Sequence, residues 1–320
     1  MGVTAISVAL ASFNGAEYIS AQLESILAQT PAVTEIVVCD DNSTDGTWKI
    51  LEEYQKKYPG IFRIFQNEKN LGCAGNFERA LSLCSGEIIF LADQDDVWQQ
   101  DKVAKMVAPF SDRRITGVYS DSLVVDSTLT PLGYTHLEKR GYSPARLTTS
   151  PQFKNFVRRV PPAAHDMVIR RETLKYLLPF PRLKNVHDTF IGIAIAALDG
   201  WAVIPEALTL FRQHAKNASN SGKKTTFTGE LKAAKQSAAE DTFLWNAKVY
   251  AFVRARLKNM LNDDNEQLLD ARIAHSKCRS KMGKVNIFHR MFLIGGEFFS
   301  GNYFRFARGL KSVIQDIFLR

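Results

Sequence analysis

An apolar run that ends abruptly in carboxylates constrains this chain more than any other stretch. It reads Glu87-Ile88-Ile89-Phe90-Leu91-Ala92-Asp93-Gln94-Asp95-Asp96-Val97-Trp98 and is opened by Ser85-Gly86. A short run rich in Ile, Phe and Leu is a strand buried on both faces, as in a parallel sheet. Its acids then lie at the C-terminal tip of that strand. In open α/β sheets ligands bind along that edge, and clustered carboxylates there suit a hard cation that bridges to substrate phosphates. The same residues suit a solvated acidic turn capping the next helix, expected from Gln99 to Phe110. Local sequence leaves both readings open, and Asp96 in particular fits the capping role.

The residues before this run alternate between strand and helix periodicity. Strands are expected at Ala5 to Ala11, Glu35 to Cys39, Phe62 to Gln66 and Glu87 to Leu91, and helices at Ala16 to Gln29, Trp48 to Tyr58 and Gly75 to Cys84. Such spacing implies right-handed crossovers and a largely parallel sheet, hence an α/β fold. Two acidic clusters follow two of these strands, Asp40-Asp41 and Asp93-Asp95-Asp96. The loop Ser12-Phe13-Asn14-Gly15 follows a third and offers backbone N–H groups. Three loops of this chemistry on one edge describe a nucleotide site better than separate capping turns do.

At 320 residues, 45% of them hydrophobic, the chain has enough apolar material for one large domain or two smaller ones. Cys39, Cys73, Cys84 and Cys278 form no C-x-x-C pair and read as reduced thiols. No basic leader precedes the first apolar run, and no run approaches the roughly 20 residues that span a bilayer, so a cytoplasmic protein is expected. The net charge is +8. Neither zinc-finger spacing nor an RNA-binding signature accompanies it, so an anionic membrane surface or phosphorylated substrate is the expected partner rather than nucleic acid.

Four motifs in order, Ala11-Ser12-Phe13-Asn14-Gly15, Val38-Cys39-Asp40-Asp41-Asn42-Ser43-Thr44-Asp45-Gly46-Thr47, Asn70-Leu71-Gly72 and Leu91 to Trp98, resemble those of family 2 glycosyltransferases. Within that family the chain is most similar to bacterial rhamnosyltransferases of surface polysaccharide synthesis. The resemblance implies the GT-A fold, a Rossmann-like, mostly parallel sheet, with a catalytic domain over residues 1–220 and a helical region over 221–320. It also implies inverting transfer from a TDP- or UDP-sugar, TDP-rhamnose foremost, to a saccharide or lipid-linked acceptor, with Mg²⁺ or Mn²⁺ as cofactor.

Carried over by residue, the resemblance puts Ser12, Phe13, Asn14, Asp40 or Asp41, Gly72, Asp93, Gln94 and Arg212 on the donor, and Asp93, Asp95 and His214 on the metal. Trp98, His165 and His187 fall on the acceptor side, although the local sequence of His165 fits a packed histidine equally well and His187 is assigned no specific role. Asp188, in Asn185-Val186-His187-Asp188, becomes the base that removes the acceptor proton, although its local sequence equally fits a helix N-cap. Two rivals remain. A nucleotidyltransferase needs cations in the first loop, which has none; a non-catalytic binding module would not need Asp188.

The remaining expectations concern architecture. Residues Asp126 to Pro151 read as a loop region, Phe153 to Val157 as a short helix, Trp201 to Ile204 as a strand and Ala218 to Thr228 as a mobile lid. Helices are expected at Glu230 to Leu261 and Glu266 to Lys281. In the last forty residues aromatics such as Phe288, Phe292 and Phe299 alternate with Lys and Arg, a pattern shared by interfacial anchors and by helices packed on a domain. Peripheral attachment to the inner face of the cell membrane follows from the first of these.

Overall fold

The computed structural model describes residues 5–142, 152–158, 163–214 and 242–318. The expected lid at Ala218 to Thr228 lies outside the described residues, as does the expected helix before Thr242. The chain divides into two compact units, residues 1–150 with 162–223 and residues 151–161 with 224–320. Helix 152–158 thus belongs with the C-terminal helices, a membership that a single division at residue 220 does not anticipate.

In the first unit, β1 (Ile6–Ser12), α1 (Ile19–Leu27), β2 (Glu35–Asp40), α2 (Thr47–Lys57), β3 (Phe62–Gln66), α3 (Gly72–Leu83) and β4 (Ile88–Asp93) follow the expected alternation. The four strands pair in parallel in the order β3-β2-β1-β4. Their apolar runs are buried because helices cover both faces; Val8, Leu10, Ile36, Val38 and Phe90 belong to one core cluster. Glu35 is an exception in β2. Burial alone would raise its pKa, but hydrogen bonds from Ser7, the Ser85 amide and Arg63 outweigh that and lower it.

After β4 the chain forms β5 (Val97–Trp98) and α4 (Lys102–Val107), then a 3₁₀ turn at Ala108–Ser111. The helix expected as far as Phe110 stops early because Pro109 has no amide to continue the α ladder. Strand β6 (Gly117–Val125) pairs with β7 (Pro131–Thr135), and α5 (His136–Lys139) follows with a capping box from Thr135 and Glu138. The expected loop after Asp126 is therefore a hairpin. Asp126 closes it by accepting from the Thr128 and Thr130 amides at 2.8 and 2.9 Å. The exposed edge strand β7 lacks the apolar alternation that would announce it.

Helix α6 (Gln152–Arg158) is followed by β8 (Met167–Arg170), which runs antiparallel between β4 and β6. Next come α7 (Leu174–Leu177), α8 (His187–Ala197) and β9 (Trp201–Arg212). Strand β9 does not end at Ile204. It continues through Pro205 to Arg212, parallel to β6, with register irregularities near Asp121 and Ser122 that accommodate the missing proline amide. Strand β5 closes its other side. The second unit continues with α9 (Thr242–Arg256), α10 (Asp263–Met282), α11 (Ile287–Phe299), α12 (Asn302–Phe306) and α13 (Leu310–Phe318). Among the described residues, no helix is long and apolar enough to cross a membrane.

A packing test lies at the start of β4. A Cβ on Gly86 would sit 2.7 Å from the Ser7 amide nitrogen and 2.8 Å from the Ala5 carbonyl oxygen. Backbone atoms cannot yield as a side chain can, so Gly86→Ala is expected to cost about 1–3 kcal/mol in urea unfolding. Unchanged stability would contradict the close approach of β1 to this turn.

Candidate active site

Parallel pairing brings three strand ends together. Ser12 lies opposite Asp40, and Ala11 lies opposite Asp93. The loops that follow are fastened by side chains. Gln94 accepts from the Phe13 amide at 2.8 Å and donates to the Phe13 carbonyl at 2.9 Å. Asn14, at φ 48°, donates its amide to Ser43 and accepts from the Thr44 amide, both at 2.8 Å. A Cβ on Gly15 would fall 2.1 Å from the Gln94 amide oxygen, so a side chain there would displace the Gln94 amide from Phe13. Gln94 and Asn14 thus align the loops, and Phe13 is left exposed.

The two acids after β2 separate in role. Asp40 is buried and accepts from Ser12 Oγ at 2.9 Å, Ser43 Oγ at 2.6 Å and the Ser43 amide at 2.9 Å. Asp41 instead lines a cleft of about 700 Å³ together with Ser12, Phe13, Gly72 and Asp93. Its carboxylate accepts from the Leu71 and Gly72 amides at 2.7 and 2.9 Å and from Asn67 Nδ2 at 2.7 Å. Gly72, at φ 74°, makes that turn possible. Asn67 in turn donates to Asn76, which donates to the Cys39 carbonyl at 2.7 Å. Neither asparagine was singled out from sequence, where only their wide separation from Asp41 is visible.

Behind β4 lies a buried charge network. His165 Nδ1 is 3.2 Å from Asp93 and 3.5 Å from Asp96; its Nε2 is 3.4 Å from Asp166 and 3.3 Å from Ser122 Oγ. Burial disfavours a charged imidazole, but Asp166 and Asp96 outweigh it and hold the His165 pKa well above the usual value. Asp166, although buried, is drawn far below the carboxylate range, chiefly by His165. For Asp96, burial and the charges of Asp95 and Asp93 push the carboxyl well up. Lys102 Nζ donates to the His165 carbonyl at 2.7 Å and to Thr209 Oγ1 at 2.6 Å, and burial lowers its pKa to about 8.

One sequence expectation changes here, at Trp98, and the alternatives left open for Asp96 and His165 narrow. Asp96 does not cap the next helix, whose N-cap residue is Asp101; it is buried and accepts from the Arg212 amide at 3.1 Å. Trp98, expected on the acceptor side, is 3% exposed, with its ring against Phe90 and under Lys102. Nor does His165 face outward; its ring stacks on Phe211 at 4.6 Å. Both belong to the packing beneath the site because β5 and the turn before β8 fold inward onto β9.

Asp95 and His214 do come together, with Nε2 2.9 Å from Oδ2. Tyr18 packs on His214 at 4.6 Å and on the Arg212 guanidinium at 4.7 Å. Arg212 donates to the carbonyls of Asp95 and Ser127 at 2.8 and 2.6 Å, so it positions this segment through its backbone. A carboxylate beside an imidazole, with the half-buried Asp93 nearby in sequence, is a donor set that fits a divalent cation of the Mn²⁺ type. The trio Asp93, Asp96 and His165 also brings its ligand atoms close together, behind the sheet.

At the start of α8, His187 stacks on Phe77 at 4.8 Å, with Nε2 3.8 Å from Cys73 Sγ. The N-cap position is Val186, without a side-chain cap, so Asp188 is not an N-cap. It is half-buried and accepts from the Thr189 amide at 2.6 Å. Burial raises the Cys73 pKa well above the usual thiol value, and the charges of Asp93, Asp188, Asp41 and Asp95 add to it. Cys73, Asp41 and Asp93 line the same cleft.

Residues 7–177, more than half of the chain, match glycosyl transferase family 2, and the chain belongs to that family. It is 30% identical over 220 residues to the dTDP-rhamnosyl transferase RfbG of Shigella flexneri, across 65% of this chain and 72% of that one. In fold it is similar to S. aureus TarS 1-349, solved with UDP-GlcNAc, at a TM-score of 0.54 and 17% identity over 97% of this chain and 90% of that one. The mannosyltransferase PcManGT of Pyrobaculum calidifontis, solved with GDP-Man and Mn²⁺, aligns at a TM-score of 0.51 and 18% identity over 98% of this chain and 86% of that one. The fold is the GT-A glycosyltransferase fold, and the protein is a glycosyltransferase.

His136 provides a pH test of the network. Burial beside Phe211 lowers its pKa from 6.5 to about 4. Between those values the unfolded chain binds a proton that the folded chain refuses, so stability falls as pH falls through this window, by on the order of 3 kcal/mol in all. His136→Phe removes this part of the slope in urea titrations run across the window. An identical slope in the variant would mean that His136 is charged in the folded protein.

Proposed function

We propose that this glycosyltransferase moves a sugar, rhamnose from TDP-rhamnose, onto a saccharide or lipid-linked saccharide with inversion at the anomeric carbon, in surface polysaccharide synthesis at the cytoplasmic face of the membrane. The observation that carries this reading is the cleft at the strand ends, lined by Ser12, Phe13, Asp41, Gly72 and Asp93, with Asp95, just beyond strand β4, 2.9 Å from His214. RfbG supports rhamnose as the sugar and TDP as its carrier.

In the proposed mechanism, the cleft beside Asp41 and Gly72 holds the nucleoside, while Phe13 provides an exposed ring next to it. The acceptor hydroxyl attacks the anomeric carbon from the face opposite the diphosphate. As the new C–O bond forms, the bond to the diphosphate breaks and its electron pair leaves with the nucleoside diphosphate. Asp188 takes the hydroxyl proton, its carboxylate oriented by the Thr189 amide. Asp95, His214 and Asp93 would hold the cation, and the imidazole favours Mn²⁺ over Mg²⁺. When bound, such an ion supplies positive charge against the departing diphosphate.

Two experiments test this reading. Asp188→Asn is expected to lower transfer by about 10²- to 10⁴-fold while TDP still raises the melting temperature. Transfer at the native rate would remove Asp188 from the role of base. In a thermal-shift panel of TDP- and UDP-sugars with Mn²⁺ or Mg²⁺, the metal-dependent part of the shift should disappear in His214→Ala and Asp95→Asn. A metal-independent shift in the native chain would refute the cation site, and a preference for a UDP-sugar would refute TDP-rhamnose as donor.

A further inference from the structure

The last helices of the second unit are amphipathic in the inverted sense. On α11, Arg290 and Ile294 are buried, and Glu297 reaches His275 Nδ1 at 2.5 Å. Phe288, Phe292 and Phe299 are instead 85%, 78% and 88% exposed. At about 3.6 residues per turn these three rings fall on one face, flanked by the exposed Met291. Helix α13 repeats the arrangement. Its buried residues are Ser312 and Asp316, and Asp316 pairs with Arg279 at 2.6 Å and accepts from the Tyr303 hydroxyl at 2.7 Å. Leu310, Ile314 and Phe318 are exposed. The two helices pack on each other, which sets two outward apolar rows on neighbouring supports.

Charge distinguishes the possible occupants of this face. Between residues 281 and 318 the acids are Glu297 and Asp316, and both are paired inward with His275 and Arg279. The exposed charged residues of the same stretch are Lys281, Lys284, Arg305, Arg308 and Lys311, all cationic. A second copy of the chain would bring cations against cations. An anionic monolayer receives both features at once, with rings at the acyl boundary and cations among the headgroup phosphates.

We propose that α11 and α13 form a docking face for an anionic lipid surface. The proposal rests on placing the enzyme at a membrane face and is independent of its transfer chemistry. It is tested with the full chain by co-sedimentation with vesicles of equimolar phosphatidylglycerol and phosphatidylcholine, and with phosphatidylcholine vesicles alone. The native chain should sediment with the first and not the second. The combined variant Phe288→Ser, Phe292→Ser and Phe299→Ser should partition at least about tenfold more weakly. The variant Lys281→Glu, Arg305→Glu and Arg308→Glu, with its apolar face intact, should lose the preference for anionic vesicles. Each variant should keep the native melting temperature and TDP-induced shift, which separates loss of docking from loss of fold. Native chain that remains in the supernatant, or a triple serine variant that sediments as before, overturns the proposal. So does light scattering that shows a dimer dispersed by the serine substitutions. Vesicle binding without any nucleotide shift would leave the docking face standing and the donor assignment refuted.

Discussion

A protonated imidazole buried among carboxylates sets the geometry of the catalytic unit. Removing a cation from water costs several kcal/mol, and the charge on His165 is favoured by Asp93 and Asp166, 3.2 and 3.4 Å from its ring nitrogens. The compensation works in both directions. Asp166 keeps its charge in the interior because His165 and Lys102 face it, whereas Asp96, crowded by Asp93 and Asp95, is pushed toward its neutral form. The network therefore ties strand β4 to the turn before β8 and to β9, three segments brought together only by the fold. Asp93 is its outward end, half-buried, so a site acid is oriented by charges behind the sheet.

A division of labour follows for the acids at the sheet edge. Asp40 and Asp96 hold backbone and neighbouring side chains, and Asp41 holds the Leu71 and Gly72 amides while it also lines the cleft with Asp93. Spacing within the D-D and D-x-D-D motifs does not say which acid is buried behind the sheet and which reaches the cleft.

Legibility from sequence followed the range of the contacts. Strands β1 to β4 were readable because each is a local apolar run, and their C-terminal loops could be assigned to one edge by topology. The β6–β7 hairpin was not, since Pro131-Leu132-Gly133-Tyr134-Thr135 carries turn-forming residues and no alternation; its pairing depends on Asp126 and on β6. Pro205 likewise reads as a strand end and is tolerated only because the register with β6 shifts beside it. The charge network was the least visible part. Lys102 reaches His165 across 63 residues and Thr209 across 107, and no periodicity links them. Trp98 departs in the opposite direction, since the resemblance puts it on the acceptor side but its ring packs in the core.

The last helices of the helical unit place ion-paired residues inside and several large apolar residues outside, and this bears on how their sequence should be read. In α13 an aspartate is inside and three large apolar residues are outside, so helix-to-helix cohesion rests on the Arg279–Asp316 pair, the Tyr303 hydroxyl and a small apolar cluster around Met282 and Ile294. Buried ion pairs give little net stability against apolar alternatives, because desolvation offsets much of the attraction. They do fix orientation: rotating α13 to bury Leu310 and Ile314 would withdraw Asp316 from Arg279 and leave a buried guanidinium without its carboxylate. The inward polar pairs thus hold the apolar rows outward, at a stability disadvantage that an occupied docking face would recover.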